Sequence, residues 1–141
     1  MFKPYMMKNV DMIIGDEATG PNFKCQVRGV KLNPEVSVQR TKTACPTGQY
    51  AAVDDPEWTA ELTYLYGMDD GEGTVANVLA DYLLAHAGEE LPILFRPVSG
   101  GAGYSGTVLT IPGTIGGDYG SFSEQSVSLP MIGQPTPVAA V

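Results

Sequence analysis

Between Glu57 and Tyr66 the chain alternates without a break. Trp58, Ala60, Leu62, Tyr64 and Tyr66 occupy one phase, and Glu57, Thr59, Glu61 and Thr63 the other. Successive side chains of a strand point to opposite faces, so this segment predicts a strand with one buried and one solvent-facing side. The segment 22–41, NFKCQVRGVKLNPEVSVQRT, alternates too, but in two phases: Phe23, Cys25 and Val27 share one, and Val30, Leu32, Val36 and Val38 share the other. The phase changes at Arg28-Gly29, where a β-bulge would restore a common inward face and glycine supplies the backbone freedom. Shorter strands are predicted at Asp11–Gly15, Leu91–Val98 and Gly106–Ile111, and at Phe122–Met131 through Val127, Leu129 and Met131.

One segment has the helical period. From Thr74 to Ala87, residues Val75, Val78, Leu79, Tyr82 and Leu83 fall on a single face, with Thr74 as N-cap and Gly88 as stop. Asp69, Asp70 and Glu72 precede its positive end and His86 sits near its negative end, which agrees with the helix dipole. Residues 41–56, TKTACPTGQYAAVDDP, show little periodicity, and Pro46, Gly48 and Pro56 break any strand there. That stretch reads as a long loop, a class that often meets partners. Residues 1–10 read as an N-terminal arm, and residues 132–141, IGQPTPVAAV, as a C-terminal arm without easy regular structure. The order of elements predicts one mainly β (α+β) domain over 1–141, an antiparallel β-sandwich or barrel with one flanking helix.

Composition supports that reading. The 17 glycines and 11 prolines, with only 17% charged residues, suit short strands and tight turns. The net charge of −8 is unevenly placed: residues 1–42 carry +3, and residues 43–141 carry −11 with Arg96 as their single base. A mostly acidic surface repels phosphate, which argues against tight nucleic-acid binding. The apolar runs near the N-terminus are too short for a signal peptide or a membrane span, so the chain is expected to be soluble when made. Cys25 and Cys45 lack CxxC spacing and a nearby His. They read as two free thiols in a reducing compartment, with one disulfide as the other possibility.

Candidate chemistry is sparse. Gly101–Gly106 matches GxGxxG, but a dinucleotide site needs a helix directly after the glycines, and here GTVLTI follows. The glycines read instead as a turn between strands. The pairs Asp54-Asp55, Asp69-Asp70 and Glu89-Glu90 lack calcium-loop spacing and read as solvated turns and helix-end charge. His86 is the single histidine, so it builds no metal cluster and suits a capping or packed role. Ser105 has no GxSxG context and would have to recruit His86. No catalytic, cofactor-binding or metal-binding residue is therefore expected, and the chain is not expected to be an enzyme.

The stretches NFKCQVRGVKLNPEVSVQRTKT, TVANVLADYLLAHAGEELPILFRP and IPGTIGGDYGSFSEQSVSLPMIGQPTP cover most of the chain. Together they resemble the tail tube, or major tail, proteins of long-tailed bacteriophages. The resemblance implies a β-sandwich-like subunit forming hexameric rings that stack head to tail, with neighbouring strands closing a β-barrel around a lumen. The genome passes through that tube without sticking. It further implies residence in the virion tail after assembly in the host cytoplasm, contacts with tape-measure and tail-end proteins, and no cofactor or membrane. Under it, residues 41–56 reach an adjacent ring, with Thr41, Lys42, Gln49, Tyr50, Asp54 and Asp55 as candidate contacts, and both arms seal subunit contacts. Thr59, Glu61, Thr63, Glu124, Ser126 and Ser128 become candidates for lining the lumen, although alternation alone does not say whether a polar face points inward or outward. If the basic third and the acidic remainder occupied opposite ends of the subunit, stacking would be electrostatically complementary.

Two other readings stand beside this one. A related fold could form a single ring, as tail terminators and head-tail connectors do. A small β-domain could instead bind a ligand on a platform of Trp58 and tyrosines, although the phase Trp58 shares with Leu62 and Tyr64 fits a core position better.

Overall fold

The computed structural model describes residues 2–4, 6–15, 20–67 and 78–140. Its strands are β1 (Asp11–Ile14), β2 (Val27–Glu35), β3 (Val38–Lys42), β4 (Gln49–Val53), β5 (Glu57–Leu65), β6 (Glu90–Arg96), β7 (Gly103–Leu109), β8 (Glu124–Pro130) and β9 (Thr136–Val138). One helix, α1 (Leu79–Ala85), lies between β5 and β6. All strand pairs are antiparallel, in a four-stranded sheet β1-β6-β7-β9, a three-stranded sheet β2-β5-β8 and a separate hairpin β3-β4.

The alternation predicted for residues 57–66 is realised in β5. Ala60, Leu62 and Tyr64 are fully buried, whereas Glu57 and Glu61 face solvent. These residues share one core with Met12, Ile14, Ile93, Phe95 and Val108 of the four-stranded sheet and with Val127 and Leu129 of β8. At about 25 cal/mol per Å² of apolar surface removed from water, such a shared core is what holds two sheets face to face. A bridge between Val108 and Met131, with the Ile132 amide donating to Thr107 O at 2.8 Å, stitches the sheets along one side.

The expected bulge is present: the β2–β5 register shifts between Val27 and Gly29, and Val30 is buried beyond it. The inward face is shorter than the pattern implied at both ends. Residues 23–26 form a turn closed by the Gln26 and Val27 amides on Phe23 O, which buries Phe23 but leaves Cys25 in solvent. Val36 and Val38 are exposed because the chain has already left the sandwich for the hairpin.

The structure also changes three expected elements. Val78 is extended, with φ −117° and ψ 121°, so no continuous helix runs from Thr74; residues 74–77 lie outside the described residues. The amide of Leu79 is instead capped from far away in sequence, by Gln26 Oε1 at 2.8 Å. The helix stops as expected, with Gly88 at φ +86° and its amide on Thr110 O. Residues 41–56 are not a plain loop: β3 and β4 pair from Val38↔Val53 to Lys42↔Gln49, and Pro46 and Gly48 sit in the turn between them. The C-terminal arm contains a strand, β9, added to the edge of β7 through Gly103↔Val138 to Ser105↔Thr136.

The sandwich has two unlike ends. At one, where Val27 pairs with Tyr64, α1 packs Leu79, Ala80, Tyr82 and Leu83 into the core. Tyr82 donates to Ile14 O at 3.1 Å and meets the Phe23 ring edge-on at 5.3 Å. At the other, where Pro34 pairs with Trp58 and Phe95 with Tyr104, no helix among the described residues covers the core, and the β3-β4 hairpin departs.

Candidate assembly interface

The six residues singled out as lumen candidates come together. Register places Glu61 opposite Ser128 and Thr63 opposite Ser126, with Thr59 two positions before Glu61 and Glu124 two before Ser126. All six therefore lie on the outward face of the β2-β5-β8 sheet, opposite the core-facing set. The same face receives Lys31 opposite Glu61 and Asn33 opposite Thr59. Asn33 Nδ2 donates to Glu61 Oε2 at 2.6 Å, and Arg28 forms a 2.6 Å ion pair with Glu124. Exposed pairs of this kind contribute little to folding.

Both edges of this sheet are available. Among the described residues β2 pairs only with β5, and β8 pairs in register only with β5, apart from the bridge at Met131. An open edge is a row of backbone donors and acceptors that a strand from another chain satisfies. The nine residues of β2 form the longest such edge.

The hairpin supplies a second surface. Every residue of β3 and β4 is exposed, including Val38, Tyr50 and Val53, the last two at 63% and 62%. An isolated two-stranded hairpin is marginally stable in water, and among the described residues no further strand joins this one. Thr41 pairs with Tyr50 and Lys42 with Gln49, which puts four of the six candidate contacts on adjacent rungs. Asp54 and Asp55 follow β4, with the Asp54 amide on Ser37 O. In the turn, Cys45 Sγ lies 3.4 Å from Thr47 Oγ1, and hydrogen bonding to Thr47 holds the thiol below its ordinary pKa. Cys25 and Cys45 are both free and exposed.

The basic and acidic parts of the sequence do not separate by end. Lys24 and Arg28 flank the start of β2 at the helix end, whereas Arg40 and Lys42 lie on the hairpin at the other. Both regions belong to the first 42 residues because β2 runs the length of the sandwich.

Two anchoring groups were not singled out by sequence. Arg96, only 3% exposed, donates to the carbonyls of Gly101 and Ala139, tying the C-terminal arm to the turn after β6. Its isolation as the one base among residues 43–141 was the available signal. Asp11 accepts from Ser99 Oγ, the Gly100 amide and Asn22 Nδ2. Partial burial works to raise its pKa, but these hydrogen bonds and nearby Lys24 prevail and leave it lowered.

The glycine-rich stretch makes the turn that was expected, with a modification. Gly100 has φ +75° and the Gly101 amide bonds Val98 O, but Gly103–Gly106 already belong to β7. Gly103 is required by packing, since a Cβ there would strike the Phe95 carbonyl. His86 takes the packed, end-of-helix role, with Nδ1 2.7 Å from Glu89 Oε2 and its ring 4.4 Å from that of Tyr82. Ser105 lies inside β7 opposite Leu94. The Asp69-Asp70 pair lies outside the described residues. Among those described, no group of three or more His, Cys, Asp or Glu could hold a metal, and no helix is long and apolar enough to cross a membrane.

Trp58 departs from a plain core position. It is half-buried at the open end and lines a cleft of about 400 Å³. Compared with known proteins, the chain matches no family model and no curated sequence.

Proposed function

We propose that this protein is a structural, non-enzymatic subunit that assembles with copies of itself into stacked rings forming a phage-type tail tube, a conduit for the genome. The observation that carries the reading is the β2-β5-β8 sheet, polar across its outward face and open at both edges. Joining β2 of one copy to β8 of the next continues the sheet, removes both edges and closes into a ring when the rotation between copies is constant. Six copies per ring is the number that the sequence resemblance implies.

In such a ring the outward face becomes the lining. Glu35, Glu57, Glu61 and Glu124 outnumber Lys31 and Arg28 there, so DNA phosphates meet net negative charge and release no counterions by binding. The exposed hairpin reaches the adjacent ring, and tape-measure and tail-end proteins meet the lumen and the two tube ends. The location is the virion tail.

Negative-stain microscopy across a concentration series tests this directly. Hollow tubes of uniform diameter are the expected result. Rings that never stack would assign the chain to a terminator or connector, and monomers at the highest concentration would favour a ligand-binding domain centred on Trp58.

A further inference from the structure

The open end of the sandwich holds a socket, and the helix end holds a plug of matching chemistry. The socket is walled by Leu32 and Trp58 from one sheet, Phe95 and Tyr104 from the other, and Pro135 and Pro137 from the C-terminal arm. Trp58 Nε1 is buried and has no hydrogen-bond partner among the described residues. That nitrogen has no exposed surface, so an occupant of the cleft meets the apolar and aromatic faces of Leu32, Trp58, Phe95 and Tyr104.

The plug is the connection between β7 and β8. Its base is fixed at the helix end: Tyr64 donates to Thr114 O at 2.9 Å, Gln125 Nε2 to Gly116 O at 2.6 Å, and the Tyr66 amide to Ser123 O at 2.9 Å. From that base the chain carries two aromatic side chains into solvent, Tyr119 at 105% exposure and Phe122 at 97%. Gly120, at φ +85°, makes the turn between them. Two fully exposed aromatics on an anchored turn form an apolar projection that the monomer gives nothing to pack against.

We infer that Tyr119 of one copy inserts into the Trp58 cleft of the next, its ring packed against Tyr104, Pro135 and Pro137. This rests on the reading that copies stack. Tyr119 is chosen over Phe122 as the more exposed of the two, standing at the head of the Gly120 turn. Plug and socket lie at opposite ends of the same sandwich, so the contact is heterologous: each copy offers one of each, and the series extends without limit. An aromatic anchor in a desolvated pocket is the arrangement that dominates interface energies.

Trp58 is the single tryptophan of the chain, so its emission reports the socket. Wild type, Tyr119→Ala and Tyr119→Phe are compared by sedimentation velocity and tryptophan emission over one concentration series. Wild-type emission is expected to move to shorter wavelength in step with association. Tyr119→Ala should associate about tenfold more weakly or worse, with no emission change at wild-type midpoint concentrations, and Tyr119→Phe, which keeps the ring, should match wild type. All three should share one unfolding midpoint under dissociating conditions, because Tyr119 touches nothing in the monomer. Wild-type association without an emission change, or Tyr119→Ala matching wild type in both readouts, overturns the socket while leaving stacking intact. A wild type that stays monomeric overturns both.

Discussion

The two ends of the sandwich are built from the same ladders but finished differently. At the helix end Leu79 and Leu83 are fully buried, Gln26 caps the first amide of α1, and Tyr82 closes onto the last carbonyl of β1. At the other end the core stops at a cleft in which Trp58 is half-buried and its indole donor is unmatched. The helix end contains a similar orphan, Thr110 Oγ1; both atoms are buried, but Thr110 is wholly so at 0% exposure, whereas the Trp58 side chain is half-buried at the cleft. One end is finished by the chain itself, and the other opens onto a cleft.

If that contrast is right, the ends should respond differently to truncation. The largest effect belongs to Leu83→Ala, which removes a fully buried side chain from α1 and should cost about 2–5 kcal/mol in urea unfolding. A smaller effect is pH-dependent and sits at the open end, where Asp11 holds the turn after β6. Its folded pKa is lowered, so its contribution is fully present above the ordinary carboxylate pKa and is lost as pH falls through the lowered folded value. Asp11→Asn should therefore lower stability most near neutrality and converge with wild type as pH falls through the lowered folded value, flattening the acid limb of the stability curve between those two values. The smallest effect is Tyr104→Ala, which removes a 44% exposed side chain from the cleft wall. Its monomer stability should shift by only about 0.5 kcal/mol, while self-association weakens. A destabilisation by Tyr104→Ala rivalling that of Leu83→Ala would erase the contrast.

What the sequence disclosed follows the same division. Where one face is buried and the other wet, the period of two is visible, and β5, β8 and the Arg28-Gly29 bulge were legible to the residue or nearly so. The hairpin was not, because β3 and β4 bury neither face and therefore carry no alternation; Pro46 and Gly48, which seemed to break strands, sit in the turn joining them. The start of α1 was misplaced because its first described amide is capped by Gln26, 53 residues away. The C-terminal strand was hidden by Pro135 and Pro137, which suit an edge strand better than a central one. The polar face of the large β strands could be assembled from period alone, since Thr59, Glu61, Thr63 and their partners in β8 need only a register. The Trp58 cleft could not, because its walls come from four segments distant in sequence.

The central claim is that assembly encloses the polar face of the β2-β5-β8 sheet. Ser128 lies exposed on that face opposite Glu61, and Ser128→Cys in a Cys25→Ser, Cys45→Ser background places a single thiol there. The measurement is labelling of this thiol by a small and by a bulky polymer-linked maleimide, in dissociated protein and in assembled particles. Both reagents should label the dissociated protein, and assembly should protect the thiol strongly from the bulky one while the small one still enters. Equal labelling by the bulky reagent before and after assembly would place this face on the exterior and contradict enclosure.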